Sequence, residues 1–289
     1  MYKGTGASAG IGIGRAVIVE EKELVIKRET VTDPAAEIQR FKGALEVSMK
    51  QTEALAEDLG KRVGEKEAEI LKGHIMLLSD PMLVGEIETN IQNECMNAEY
   101  AIESVCTMYA DMFASMGDEL MQQRATDMRD IKTRMQKVLL GVASVDIAAL
   151  PAGSVIVAKD LTPSMTAGIN PANVTGIITE LGGRTSHSAI LARALEIPAV
   201  VALGGILEQV KDGDMAVLDG TEGTVLINPD DAVLAEYQNK RDAFLKEKKD
   251  LEQYIGKPSV TKDGVSVELV GNIGKPEDAL LHVLKVREP

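Results

Sequence analysis

The sequence predicts an α/β domain interrupted by an all-α bundle and followed by a linker helix. Three observations carry this expectation. From about Asp33 to Gly141 apolar residues recur at helical spacing with few breakers. After Pro151 the chain turns into short β-rich runs punctuated by glycine and proline. One β-rich run, Arg15-Ala-Val-Ile-Val-Glu20, stands alone near the N-terminus, which groups it with the later strands and makes the bundle an insertion.

The elements follow in order. Glycines at 4, 6, 10, 12 and 14 precede the first strand. Gly10-Ile-Gly12-Ile-Gly14 is not a dinucleotide loop, because that fingerprint follows a strand and opens a helix; it reads as a twisted edge segment. Asp33-Pro34 supplies an N-cap and a first-turn proline, with Glu37 behind them. Phe41, Leu45 and Met49, then Ile70, His74, Leu77 and Leu78, keep the helical period. Breaks near Gly60 to Gly64, at Ser79-Asp80-Pro81, at Asn97 and at Gly117 divide the bundle into four or five helices. Strands are expected at 154–158, 174–179, 199–202, 215–218 and 224–227, with helical stretches at 188–195 and 206–210. A charged helix from Asp231 to Tyr254 reads as a linker. The expected domains are 1–22 with 145–230 (α/β), 33–143 (bundle), 231–256 (linker) and 257–289.

Composition narrows the function. At 289 residues the chain exceeds the commonest domain size of about 100–150, so two domains or a large insertion is expected. Apolar residues at 45 % and charged residues at 26 % exclude a mostly disordered chain. A net charge of −14 argues against sequence-independent nucleic-acid binding, and 3 % aromatics without Trp argue against base-stacking platforms. No apolar run reaches the roughly 20 residues of a membrane span, and the N-terminus lacks a signal pattern, so a cytoplasmic protein without membrane insertion is expected. Cys95 and Cys106 read as small buried apolar residues. Between Asp80 and Leu120 there are nine acidic residues and no Lys or Arg, either a solvated face or a docking surface for a basic partner.

The stretch richest in chemistry is Glu180-Leu-Gly-Gly-Arg-Thr-Ser-His-Ser-Ala-Ile-Leu-Ala-Arg193. Ser186 is an N-cap candidate, which puts His187 in a first helical turn, where free N–H groups and the helix dipole favour negative charge. Gly182 and Gly183 let the backbone approach a phosphoryl group, and Arg184 and Arg193 offer charge-assisted hydrogen bonds. A metal site is weak, since the other histidines, His74 and His282, lie far off and no Cys is near. A Ser-His hydrolase lacks its G-x-S-x-G elbow. From these residues alone His187 stays open between a phosphate-related role and a structural, helix-capping histidine.

Gly182 to Arg193, followed by Glu196-Ile-Pro-Ala-Val-Val201, resembles the phosphohistidine signature of the phosphoenolpyruvate-utilising enzymes. Gly6-Ala-Ser-Ala-Gly-Ile-Gly12, Gly73-His-Ile-Met-Leu-Leu78 with Asp80-Pro81, Arg124-Ala-Thr-Asp-Met-Arg-Asp-Ile131 and Asp160 to Thr166 resemble the Enzyme I branch of that family. The resemblance implies an α/β phosphohistidine swivelling domain with an inserted helical bundle. It implies that His187 takes a phosphoryl group on Nε2 and exchanges it with the carrier protein HPr, that Thr166 hydrogen-bonds this histidine, and that Gly182, Gly183, Arg184 and Ser186 stabilise the phosphate. HPr is expected to dock on the bundle, with Ile70, His74, Leu77, Met82 and Arg124 as partner-binding residues. Ile70, His74 and Leu77 share a helix face, and their spacing fits bundle core equally well. No resident cofactor or metal is expected; Mg²⁺ accompanies phosphoenolpyruvate in the family. A non-catalytic HPr-binding module and a fragment of a dikinase-like enzyme are the alternatives.

Val265 to Gly274 resembles the first strand of the family's (β/α)8 barrel, after which Leu281 to Pro289 resembles nothing in it. About 30 residues cannot close a barrel of typically 250. The expectation is therefore a chain without the phosphoenolpyruvate site and without the barrel's dimer contact, hence a monomer. The nitrogen-related paralogue is expected to carry a sensor domain ahead of this region, and the expectation here is the sugar branch, without one.

Overall fold

The computed structural model describes residues 1–20, 24–254 and 257–267. The chain divides into two compact units at Asp231. In the first, strands β1 (Tyr2–Lys3), β2 (Thr5–Ser8) and β3 (Ile11–Val19) precede helices α1 (Pro34–Arg62), α2 (Glu65–Leu78), α3 (Pro81–Glu94), α4 (Ala98–Ser115) and α5 (Glu119–Leu140). Then come β4 (Ser154–Ala158), α6 (Pro163–Ala167), β5 (Val174–Thr179), α7 (His187–Ala194), β6 (Ala199–Val201), a 3-10 turn at Ile206–Glu208, β7 (Met215–Asp219) and β8 (Thr224–Ile227).

These strands form one sheet in the order β1-β8-β7-β3-β4-β5-β6-β2. β3 to β6 run parallel, while β7 is antiparallel to β3 and β2 antiparallel to β6. β3 pairs with β4 from Arg15 opposite Ser154 to Val19 opposite Ala158. The crossover between these parallel neighbours is the whole run α1 to α5, the insertion that the lone early strand predicts. The edge-segment expectation is corrected: β3 is interior, between β7 and β4. A Cβ at Gly14 would lie 2.0 Å from the Gly153 carbonyl oxygen, so only glycine lets the backbones come this close. β4 alternates, Val155 and Val157 entering the core on one face, Ile156 and Ala158 that on the other, as a parallel strand covered on both sides requires. Ala189, Ala192 and Leu195 seat α7 on the second of these faces.

The bundle begins where the sequence places it: Asp33 accepts from the Ala36 N–H at 3.0 Å, and Pro34 opens α1. Asp80 and Asp118 cap α3 and α5, and Gly141 closes α5 in the left-handed conformation. Phe41, Ile87, Ile91, Ile102, Met128, Ile131 and Met135 fill the bundle core. A smaller cluster joins bundle to sheet layer, where Leu59 and Leu71 meet Ala167 of α6 and Leu191 of α7. Arg62, at the end of α1, adds bonds to the Ile169 carbonyl at 2.7 Å and to the Ala167 carbonyl. The sequence reading misses α6, although its signal is present: Thr162 N-caps it and Pro163 is its first residue.

Cys106 is buried as expected, and burial pushes its thiol up to about 12. Cys95 is not: it is half-buried and ends α3 at φ 47°, because the chain must turn there before α4. Beyond Asp231, α8 (Asp231–Glu252) is a charged helix with a Lys240–Glu236 pair at 2.7 Å. Residues 257–267 hold a turn bridged between Val260 and Ser266. The barrel-like strand expected from Val265 onward lies, past Val267, outside the described residues.

Candidate active site

His187 is the first residue of α7. The Ser186 hydroxyl accepts from the Ala189 N–H at 3.3 Å and donates to the Gly183 carbonyl at 2.8 Å, locking the glycine loop onto the helix start. Gly182, at φ 94°, makes the turn that lets this happen, a conformation other residues resist. The His187 side chain is 10 % exposed and borders two cavities. One, of about 280 Å³, is lined by Gly182, Gly183, Ser186 and Ser188 with Gln122 and Thr126 of α5. The other, of about 370 Å³, is lined by Lys66, Glu67, Ile70, Arg124 and Asp127.

The bundle supplies the electrostatics. Nδ1 of His187 lies 3.7 Å from Oδ1 of Asp127 on α5, and the same oxygen is 3.1 Å from Nε2 of His74 on α2. Arg124 approaches the other Asp127 oxygen at 3.4 Å. One helical turn on, Asp130 accepts from the Ser164 N–H at 3.0 Å and from its hydroxyl at 2.8 Å, and lies 3.8 Å from Nδ1 of His74. Burial pushes the His187 imidazole below the ordinary histidine range, against the upward pull of Asp127 and Asp130. The ring is therefore neutral at neutral pH. With a carboxylate beside Nδ1, the favoured tautomer carries its proton there and leaves the lone pair on Nε2.

The sequence-predicted residues fall into three groups. Gly182, Gly183 and Ser186 do line the cavity at His187. Thr166 is buried on α6 with its hydroxyl donating to the Thr162 carbonyl at 2.9 Å, so its proton is turned into its own helix rather than to the imidazole. Arg184 and Arg193 reach back to β2, donating to the carbonyls of Gly6 at 3.1 Å and Ala7 at 2.9 Å. They tie the sheet edge to the loop, which sequence spacing cannot show.

The docking stripe is corrected in part. His74 is wholly buried, Leu77 is half-buried against the bundle core, and Ile70 is half-buried beside the second cavity. Arg124 is occupied by Asp127 and keeps part of its surface. Met82 is 74 % exposed, and Met76, Met108, Met112, Met116 and Leu120 are exposed with it. Among the described residues, five of the nine acidic residues of the run pair with cations from elsewhere in the chain: Glu88 with Lys42, Glu94 with Arg28, Glu99 with Arg40, Glu103 with Lys132 and Asp111 with Arg129. Sequence reasoning misses Asp127 and Asp130. Their signal is the spacing Arg124, Asp127, Asp130 on one helix face, beside the core positions Met128 and Ile131.

A mixed sheet that presents a largely enclosed histidine at a helix start, against an inserted bundle, defines an α/β protein with that imidazole at its candidate site. Residues 3–124 match the family model "PEP-utilising enzyme, N-terminal" and residues 150–223 match "PEP-utilising enzyme, mobile domain". The chain belongs to this family of phosphoenolpyruvate-utilising enzymes, in its Enzyme I branch. It is 44 % identical over 276 residues to the phosphoenolpyruvate-protein phosphotransferase of Staphylococcus carnosus and 41 % to that of Bacillus subtilis, covering 96 % of this chain. It spans about half the length of both relatives, 48 %. A solution NMR structure of an Enzyme I protein, nEIt, is similar at TM-score 0.72 and 41 % identity, covering 84 % of this chain and 99 % of that one. The N-terminal domain of the nitrogen Enzyme 1 is similar at TM-score 0.56 and 26 % identity, covering 83 % and 98 %. Among the described residues no helix is long and apolar enough to cross a membrane.

Proposed function

We propose that this chain moves a phosphoryl group through His187, exchanging it with the carrier protein HPr, which docks on the bundle. The observation that carries the reading is the ring itself: a neutral imidazole in the first turn of α7, with a carboxylate on its Nδ1 side, bordering a cavity lined by glycine and hydroxyl groups. Nε2 attacks phosphorus in line with the bond to the carrier's histidine. The new N–P bond forms as the old one breaks, and the electron pair of the old bond stays on the carrier's ring. As phosphorus adds, positive charge develops on His187, and Asp127 stabilises it across 3.7 Å. The free N–H groups of the first turn meet the phosphoryl oxygens. The relatives are named phosphoenolpyruvate-protein phosphotransferases, which supports phosphoenolpyruvate as the ultimate donor in this reading, bound outside residues 1–267.

Docking is assigned to the exposed methionines. Met108 and Met112 share one face of α4, Met116 and Leu120 continue past its end, and Met76 and Met82 flank the α2–α3 turn. Flexible thioethers suit a surface that binds and releases. The test is intact mass spectrometry after exposure to phosphorylated HPr. One phosphoryl group mapped to His187, and none on H187A, supports the reading. Binding of HPr without any label identifies a non-catalytic binding module instead.

A further inference from the structure

His74 and His187 address the same oxygen. Oδ1 of Asp127 lies 3.1 Å from Nε2 of His74 and 3.7 Å from Nδ1 of His187, so the first is a hydrogen bond and the second is not. Asp127 is buried, and a carboxylate close to an imidazole favours the ring's protonated form, which has no lone pair with which to attack phosphorus. His74 is itself wholly buried, with no hydrogen-bond partner at Nδ1, at a position on α2 flanked by the core residues Leu71 and Leu78. A leucine would pack there without leaving a buried ring nitrogen unsatisfied. Asp130, fixed by Ser164, backs the ring from the other side.

We propose that His74 is a positioning residue for the reaction at His187: by donating to Oδ1 it spends the basicity of Asp127 and keeps His187 neutral and nucleophilic. This rests on the reading of His187 as the phosphoryl acceptor. The charged or titratable groups facing His187 are Arg124, Asp127 and Asp130 of α5, His74 of α2 and Asp160 after β4, with Lys66, Glu67 and Glu69 around the same cavity.

The test combines an NMR titration of the His187 ring with the pH profile of labelling by phosphorylated HPr. In H74L, Asp127 turns to His187, and the His187 midpoint rises by about one pH unit or more. Labelling near pH 6.5 then falls several-fold, by up to about fivefold for a one-unit rise, and recovers at high pH. H74Q, whose amide N–H can replace Nε2–H, restores the wild-type midpoint. D127N lowers the midpoint, and adding H74L to D127N no longer raises it. A His187 midpoint that stays put or falls in H74L overturns the inference, as does a loss of rate equal at every pH. Should H74L fail to fold, H74A replaces it, and a His187 midpoint that does not rise there overturns the inference equally. A wild-type chain that shows these shifts yet never takes label on His187 refutes the functional reading and leaves the positioning intact.

Discussion

The sheet layer and the helical bundle are built on opposite terms. β4 is aliphatic on both faces, and the strand beside it approaches so closely that Gly14 tolerates no side chain. The bundle spends its sheet-facing edge on buried polar groups, His74, Asp127 and Asp130, and leaves methionines exposed elsewhere. The difference teaches a division of labour. The sheet carries α7 and its histidine, while in our proposal the bundle sets that histidine's charge. Substitutions in the two regions should therefore fail differently, in stability on one side and in titration or binding on the other.

The largest effect is expected in the sheet. Gly14→Ala puts a Cβ 2.0 Å from the Gly153 carbonyl oxygen and 2.7 Å from the Thr175 hydroxyl, and must push β3 off β4. A loss of about 3 kcal/mol or more is expected, as for severe overpacking. Denaturant titration checks it; a midpoint near wild type would mean the strands are looser than described. A smaller loss is expected where the two regions meet. Ser164→Ala removes the 2.8 Å bond to Asp130 and leaves a buried carboxylate oxygen short of a donor, at a cost of about 2 kcal/mol. If the joint is merely structural, the His187 titration will not move in this variant. If Asp130 helps hold His74, it will.

How much of this was legible in the sequence follows the same division. Hydrophobic period, caps and breakers are local signals, so β3 to β8 and the five bundle helices, with breaks at Ser79-Asp80-Pro81 and Gly117, could be placed from the chain alone. His187 was legible because N-cap, glycines and histidine are contiguous. The rest of the site was not, because it is assembled across the crossover: Asp127 and His74 lie 60 and 113 positions before His187 in the sequence. Arg184 shows the same limit, since its hydrogen bond goes to Gly6 on a strand at the other end of the sheet layer's chain. The acidic run looked unbalanced because its partners Arg28, Arg40, Lys42, Arg129 and Lys132 sit outside it.

That neutralisation sharpens the comparison on the exposed side. Met112→Ala should leave stability within about 0.5 kcal/mol, as for a surface change, yet weaken HPr binding about fivefold through a faster off-rate. Stopped-flow mixing at two salt concentrations separates this from steering. With five of the nine acidic residues already paired internally, the on-rate should fall only modestly with salt; a steep fall would return the docking role to the carboxylates.

The smallest expected effect is a slope in stability against pH. Burial lowers the His187 pKa in the folded chain, so between that value and the ordinary histidine value of about 6.5 the unfolded chain binds more protons. The contribution of His187 is then fully present above the ordinary value and is lost as pH falls through the folded one. Asp160 has the opposite sign in a lower window: burial raises its carboxyl, so its contribution is present below the ordinary carboxylate value and lost as pH rises through the folded value. Denaturant midpoints measured from neutral pH down through the histidine range should decline in the wild type and decline less in H187A, while the carboxylate range should be shared by both. An H187A slope as steep as wild type would assign the histidine-range decline to another group. The neutral imidazole would then need independent proof from its own ring titration.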